Sequence, residues 1–119
     1  KPMPMTLKVE IDQARRLDGG AKPVDLVHLS RQTMGDPGLE AEVLRMFLTQ
    51  ARTCLEAWKR AESDAGRKEA AHALKGSARA IGAFGLADHA ASAEEGGSHD
   101  IGALEAEMDR VLAYIRTLI

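Results

Sequence analysis

Apolar side chains recur three and four positions apart along much of this chain, and that spacing marks one face of an α-helix. The pattern is clearest near the end of the sequence, where it comprises Ile101, Leu104, Met108, Val111, Ile115 and Leu118. A second run with similar spacing comprises Ala71, Leu74, Ala78 and Ile81. Such faces need a core to cover them, so the chain is predicted to fold into packed helices.

Composition agrees with a helical core in one domain. The chain has 119 residues, 45% of them apolar, and only four aromatic side chains: Phe47, Trp58, Phe84 and Tyr114. A core built from Leu, Ile, Val, Met and Ala suits packed helices better than a β-sandwich. The formal net charge of −2 gives no positive field that would argue for a nucleic-acid partner.

The sequence also constrains the cellular setting. The single cysteine, Cys54, rules out an internal disulfide and is compatible with a reducing compartment. No apolar run approaches the roughly 20 residues of a membrane span, and we expect no signal peptide. We therefore expect a cytoplasmic protein without a membrane partner.

Capping residues and glycines divide the chain into five helices. Asp25 is predicted to cap the first helix, and Gly35 stops it. Asp36, followed by Pro37 at the first helical position, begins a long second helix, and 64–66 form a break before the third. The predicted helices span about residues 26–33, 37–63, 67–81, 84–95 and 101–118.

Breaks are also predicted around the fourth helix. Gly82 and Gly85 bracket a tight turn before it, Gly96-Gly97 end it, and Ser98 or Asp100 caps the last helix. The inward side chains of the fourth helix are mostly small and allow a neighbouring helix to approach closely. They are Leu86, Ala87, Ala90, Ala91 and Ala93. The second helix has an apolar face of Leu44, Phe47, Leu48, Ala51, Leu55 and Trp58, with Leu39, Val43 and Cys54 at its margin.

Short breaks between long amphipathic helices place neighbouring helices antiparallel. Residues 24–119 are therefore predicted to form an all-α, antiparallel up-down four-helix bundle with a short extra N-terminal helix. Residues 1–23 are interpreted as an extension, extended or loosely docked, in which prolines and glycines are frequent. Leu7, Val9 and Ile11 alternate there with polar residues, a pattern typical of a short strand.

A polar face of the third helix carries the candidate chemistry. His72, Lys75, Gly76 and Arg79 fall at i, i+3, i+4 and i+7, so they share one face beside the apolar one. A neutral imidazole is a competent nucleophile for phosphoryl transfer, and Lys75 one turn away can neutralise phosphate oxygens. Gly76 lets a partner's backbone approach, which gives a reason for a residue that costs about 1 kcal/mol in a helix interior. Ser77 either bonds back to helix carbonyls or orients neighbouring side chains.

Ordinary alternatives exist for the same residues. A helical histidine such as His72 is commonly a surface or satisfied core residue, Gly76 can serve close helix packing, and Lys75 with Arg79 can form a solvated face. The Glu69-x-x-His72 spacing also matches a metal-ligand pair, but a di-iron bundle needs a second such pair, which the sequence lacks.

The remaining histidines carry weaker patterns. We expect His28 to be a surface or capping residue and His99 to be solvated in a break. His89 lies on the Ala-rich fourth helix without a neighbouring pattern of cations and glycine. No zinc-ligand spacing, nucleophile elbow or Gly-rich phosphate loop occurs in the sequence.

The run His72-Ala-Leu74-Lys75-Gly76-Ser77, with Gly82 and Leu86 after it, resembles the His-x-Leu-Lys-Gly-Ser signature of histidine-containing phosphotransfer (HPt) domains. The resemblance covers roughly residues 24–118. Upstream it includes Val24-Asp25-Leu26, Leu29, Gly35-Asp36, Leu39, Glu42, Leu44 and Phe47. Downstream, Glu94 falls where the family often has a Leu-Glu pair. Two positions depart from the pattern, with Ala93 in place of the Leu and Ala78 in place of a second small polar residue.

The resemblance implies a phosphocarrier in a multi-step two-component phosphorelay. His72 would accept a phosphoryl group from a receiver-domain aspartate and pass it to another receiver, with Lys75 contacting the phosphoryl group and Gly76 giving access. Ser77 would have an orienting role and Arg79 a docking or charge role. The partners would be receiver domains of hybrid histidine kinases and response regulators.

The family resemblance further implies a monomer that neither binds ATP nor acts as an autokinase. It implies no cofactor on this chain, since the Mg²⁺ for transfer belongs to the receiver domain. The alternative function is a non-phosphorylated helical adaptor that binds a signalling partner through the same face, and a small metalloenzyme is a third class.

Overall fold

The computed structural model describes residues 22–96 and 101–119, and within these ranges the chain forms five α-helices and no strand. The helices are α1 (Leu26–Gln32), α2 (Pro37–Arg60), α3 (Asp64–Ile81), α4 (Phe84–Glu94) and α5 (Ile101–Arg116). The predicted all-α class and the short extra N-terminal helix are confirmed. No helix in the described ranges combines the length and apolar character needed to cross a bilayer.

Aspartate caps begin the first two helices, as the sequence predicts. The Asp25 side chain accepts hydrogen bonds from the backbone N–H groups of Val27 and His28, at 3.0 and 3.1 Å. The Asp36 side chain accepts hydrogen bonds from the backbone N–H groups of Gly38 and Leu39 at the start of α2, where Pro37 is the first helical residue. Each cap satisfies N–H donors that a helix start otherwise leaves without a partner.

The junction between α2 and α3 differs from the prediction. Helix α2 ends at Arg60, and residues 64–66 are the first turn of α3 rather than a break. The hydroxyl of Ser63 accepts a hydrogen bond from the backbone N–H of Gly66 at 3.1 Å, which caps α3. Arg67 adds an ion pair with Asp64 and a hydrogen bond to the carbonyl of Ala61. A serine cap and these local contacts therefore start the helix earlier than predicted.

The turn between α3 and α4 requires glycine at position 82. Gly82 has a φ of +88°, and a Cβ placed there would be 2.8 Å from the backbone oxygen of Asp25. The N–H of Asp25 donates to the carbonyl of Gly82 at 2.9 Å, which ties the start of α1 to this turn. Gly85 lies inside α4 instead of bracketing the turn, so that part of the prediction is wrong.

Buried side chains from all five helices form one hydrophobic cluster. Helix α3 lies in contact with α1, α2 and α4, while α5 packs against α4 and α2. The buried residues of α3 are Ala70, Ala71, Leu74, Ala78 and Ile81, which confirms its predicted apolar face. The face of α3 that points away from these buried residues is exposed and carries polar side chains.

Three residues of the predicted apolar stripes behave differently. Cys54, predicted at the margin of α2, is buried, and this burial raises the pKa of its thiol. Leu39 is exposed in the first turn of α2. Leu118 is also exposed, because α5 ends at Arg116 and the helical spacing no longer directs later side chains to the core.

Some predictions fall outside the described residues. These are the short strand of Leu7, Val9 and Ile11, the cap of the last helix at Ser98 or Asp100, and the solvated His99. The division into an extension of residues 1–23 and a domain of residues 24–119 stays a prediction.

Candidate functional site

His72 lies near the middle of α3, on the face opposite the core. Its side chain is 72% exposed, whereas its neighbour Ala71 and the following Leu74 are buried. The helix spacing explains the contrast, since residues three or four positions apart share a face and adjacent residues do not. The imidazole is therefore held on a rigid helix while remaining open to a partner.

The imidazole contacts a carboxylate from the neighbouring helix. Nδ1 of His72 lies 2.6 Å from Oε2 of Glu94, the last residue of α4. The ammonium of Lys75 binds the same carboxylate, in a short contact with Oε1 and at 3.2 Å from Oε2. Glu94 and Lys75 are largely covered, with side chains 22% and 19% exposed. One carboxylate thus joins the two polar residues that the sequence singled out.

Hydrogen bonding from Lys75, followed in strength by that from His72, holds the pKa of Glu94 below its ordinary value of 4.5. Glu94 is therefore ionised at neutral pH, and an ionised carboxylate is only an acceptor. Nδ1 must then carry the hydrogen of the contact, so a neutral ring has its lone pair on Nε2. Within the described part of the chain, Nε2 has no hydrogen-bond partner. The arrangement presents a nucleophilic nitrogen to solvent.

Gly76, one turn after His72, leaves open space on the side of α3 that faces α2. A Cβ added at Gly76 would meet no described atom within 4 Å outside the adjoining backbone of its own helix, so the missing side chain leaves open space rather than permitting close helix packing. This space continues into a shallow groove between α2 and α3, and Met46 beside it is 64% exposed. The residues lining the groove are Val43, Met46, Phe47, Gln50, Gly76, Ser77, Ala80 and Ile81. His72 therefore stands between a charged cluster on the α4 side and an uncharged groove on the α2 side.

Ser77 and Arg79 are not part of the Glu94 cluster. Ser77 is half-buried at the groove, and its hydroxyl makes no hydrogen bond to any described residue. Arg79 is exposed, and its guanidinium makes no ion pair within residues 22–96 and 101–119. The structure thus brings His72, Lys75 and Gly76 together and leaves the other two predicted residues at the periphery.

The other described histidines lie away from this cluster. His89 is exposed on α4. The expectation of a surface position for His28 is wrong, because its ring is half-buried and contacts Phe84 edge-on at 5.1 Å between ring centroids. Among the described residues, no three His, Cys, Asp or Glu side chains are grouped in a way that would hold a metal ion.

Glu94 is the residue of the site to which the sequence analysis assigned no chemical role. It follows His72 by 22 positions and Lys75 by 19, so helical spacing within one element cannot connect them. The available signal was its agreement with the Leu-Glu position of the resembled family. Only the packing of α4 against α3 shows that its carboxylate contacts the imidazole.

Comparison with protein families agrees with this arrangement. The family model described as the Hpt domain matches residues 42–118, more than half of the chain, and this match confirms the resemblance. No curated protein and no solved structure gives a match. Hpt domains are phosphocarriers that interact with receiver domains and histidine kinases. An exposed helical histidine within the matched segment is consistent with that role, and the chain belongs to the Hpt domain family of two-component phosphorelays.

Proposed function

We propose that His72 accepts a phosphoryl group on Nε2 from a receiver-domain aspartate and passes it to the aspartate of a second receiver. The observation that carries this proposal is the exposed ring with Nδ1 bound to Glu94, since that contact leaves the Nε2 lone pair facing outward. Transfer in each direction requires an in-line approach of the two reacting groups, and an exposed nitrogen on a rigid helix permits it.

Lys75 is proposed to neutralise the phosphoryl oxygens. Its ammonium is bound to Glu94, the same carboxylate that contacts the imidazole. A phosphoryl group on His72 adds negative charge within reach of the same ammonium, so Lys75 can share its three donors between carboxylate and phosphate. The ion pair thus keeps the cation near the reaction without occupying the position of the phosphoryl group.

The groove between α2 and α3 is proposed as the docking surface for the receiver domain. It begins at Gly76, one turn from His72, and its lining residues carry no charge. Met46 offers an exposed apolar side chain suited to a partner's apolar helix. Arg79 supplies positive charge beside it, and Ser77 has a weaker role in orienting neighbouring groups. A small interface of this kind suits a transient partner.

Several finer aspects of the predicted role belong to the same proposal. The domain acts as a monomeric carrier without autokinase activity, and the Mg²⁺ for transfer resides in the partner receiver rather than on this chain. The four longer helices form an antiparallel up-down bundle, supported by the short connections between α2 and α3 and between α3 and α4. An exposed site on one helix of such a bundle suits exchange with successive partners.

The experiment is phosphotransfer from receiver domains of the source organism, each phosphorylated with acetyl phosphate. We expect the wild-type protein to gain acid-labile, alkali-stable phosphate, and His72→Gln to gain none. His89→Gln, another exposed histidine, is the matched control and should behave like the wild type. Label on His72→Gln at the wild-type rate would overturn the assignment. A stable complex without transfer from any receiver would instead favour the adaptor function.

A further inference from the structure

We propose that Met46 is a site of reversible oxidation, at which conversion of its thioether to a sulfoxide weakens docking of the receiver domain. The proposal rests on the proposed function, because it concerns the groove between α2 and α3 that is proposed to receive the partner. It adds to that groove a regulation by oxidants of the peroxide class.

The methionines of the described ranges differ widely in exposure. Met108 is buried in the core, whereas Met46 on α2 is 64% exposed and Met34, in the turn between α1 and α2, is 95% exposed. An oxidant dissolved in water must reach the sulfur atom, so Met34 and Met46 are open to oxidation while Met108 is protected. Of the two exposed residues, Met46 is the one that lines the groove.

The thiol that would otherwise compete for the oxidant is shielded. Cys54 lies in the core, and this burial raises the pKa of its thiol. The reactive form of cysteine is the thiolate, so a buried thiol with a raised pKa is a poor target at neutral pH. An oxidant in solution therefore meets the thioether at the groove before it meets the thiol.

The oxidation needs hydrogen peroxide as the co-reactant and no group from the protein. The sulfur lone pair of Met46 attacks one peroxide oxygen, the S–O bond forms and the O–O bond breaks. The departing hydroxide takes the proton from the oxygen now bound to sulfur and leaves as water. Sulfur is oxidised and peroxide is reduced by the same electron pair, and the product is a methionine sulfoxide.

The sulfoxide would present a polar surface where the partner needs an apolar one. Methionine is a flexible apolar side chain that adapts to a partner, whereas the sulfoxide oxygen is a hydrogen-bond acceptor that water solvates. Within the groove lining, Gln50 and Ser77 carry the side-chain donors, and the other residues offer none. An apolar helix docked on the groove would strip water from the sulfoxide without replacing its hydrogen bonds, so binding weakens.

The position of Met46 also separates binding from folding. Its neighbours Leu44 and Phe47 belong to the hydrophobic cluster, but Met46 does not. Oxidation at this position therefore changes the surface of α2 and leaves the core packing unchanged. We expect the oxidised protein to keep its helical content and its melting temperature.

The test treats the full chain with hydrogen peroxide, locates the added oxygen by peptide mass spectrometry, and measures affinity for a receiver domain that transfers phosphate to the chain. Each protein is compared with its own untreated form. We expect the oxidised wild type to bind about tenfold more weakly, a loss typical of one important interface side chain. Met46→Leu, which keeps the other four methionines and Cys54, should lose no affinity on treatment. Met34→Leu is the matched control and should lose affinity as the wild type does.

Equal losses in wild type and Met46→Leu would overturn the proposal, as would oxygen on Met34 without any on Met46. Unchanged affinity of wild type that carries the sulfoxide at Met46 would overturn it too. A second measurement uses the wild type alone, so it stands even if a variant does not fold. The two methionine sulfoxide reductases, one for each sulfoxide epimer, should restore the affinity, and a loss that persists after Met46 is reduced contradicts the proposal. If the untreated protein neither binds a receiver nor takes phosphate from one, the proposed function fails instead.

Discussion

Glu107 on α5 lies directly over Gly85 in the first turn of α4. A Cβ added to Gly85 would be 2.5 Å from Oε2 of Glu107, whose side chain is only 14% exposed. Helix α4 has no side-chain cap of its own, because Ala83 occupies the N-cap position. A carboxylate beside a helix N-terminus is favourable since it faces unpaired N–H groups and the positive end of the helix dipole. Glu107 makes no hydrogen bond to the described residues of α4 and pairs with Arg110 at 3.1 Å, so it can stabilise the helix only through its charge near the N-terminus.

We predict that Gly85→Ala and Glu107→Ala have non-additive effects on stability. Alanine gains up to about 1 kcal/mol of helix propensity over glycine, but in the wild-type background it displaces the Glu107 carboxylate from the N-terminus of α4. The two effects should nearly cancel, whereas in the Glu107→Ala background the gain should appear. Urea unfolding of the two single variants and the double variant measures this coupling. Equal effects of Gly85→Ala in both backgrounds would show that the carboxylate does not stabilise α4.

A second prediction concerns the turn between α3 and α4. Gly82→Ala should destabilise the domain by about 2 kcal/mol or more, because φ is +88° and the new Cβ would press on the backbone of Asp25. The backbone of Asp25 cannot retreat without losing its hydrogen bond to the Gly82 carbonyl. Chemical denaturation measures the loss.

Gly76→Ala is the matched control for this prediction. Its new Cβ would enter open space on the same helix, so the variant should be as stable as the wild type or up to about 1 kcal/mol more stable. A similar loss of stability in both variants would mean that general glycine effects, rather than the local geometry of the turn, explain the result at position 82.

The third prediction distinguishes an effect on receiver binding at the proposed docking surface from an effect on the stability of the domain. Gly76→Leu should weaken binding to the cognate receiver by about tenfold, because its side chain would fill the start of the groove beside His72. The melting temperature should change little, since no described atom of a neighbouring element lies within 4 Å of the new Cβ. Ala65→Leu, an exposed change in the first turn of α3, is the control. Unchanged receiver affinity for Gly76→Leu would contradict the access argument.

The sequence predicts those features that depend on short separations along the chain. The caps at Asp25 and Asp36 and the buried stripe of α3 follow from contacts within one helical turn or from one helix face, so the pattern alone identifies them. The early start of α3 was missed because Asp64 and Gly66 resemble a break, although Ser63 offers a normal cap. The serine cap is visible in the sequence, but a glycine three residues later is equally typical of a break between helices.

The candidate site was predicted in part for the same reason. His72, Lys75 and Gly76 share a face through their spacing, and the structure keeps them together. Glu94 joins them through the register of α4 on α3, which depends on how small side chains such as Ala90 and Ala78 let the two helices approach. No local rule fixes that register, so the charged partner of the histidine required the structure.

Lys75→Ala should slow phosphoryl transfer by about 10- to 100-fold while leaving the helices intact, because it removes the cation nearest the phosphoryl oxygens. The same change should raise the pKa of Glu94 toward its ordinary value, since the hydrogen bond from Lys75 is the main cause of the lowering. Transfer assays and a ¹³C titration of the Glu94 carboxyl group test the two effects separately. A melting temperature lower by many degrees would indicate a structural role for Lys75 instead.

The lowered pKa of Glu94 also predicts how stability depends on pH. A carboxyl group whose pKa is lower in the folded than in the unfolded state binds fewer protons when folded, so its stabilising effect is complete above the unfolded value, near 4.5. The effect is lost as pH falls through the lower folded value. Wild type should therefore exceed Glu94→Gln in stability by a constant amount at neutral pH, and the difference should shrink below about pH 4.5. Urea unfolding at several pH values measures this difference. If it persisted unchanged to pH 3, ionisation of Glu94 would not be the source of the stability, and the contacts with His72 and Lys75 would have to act through the shape of the side chain.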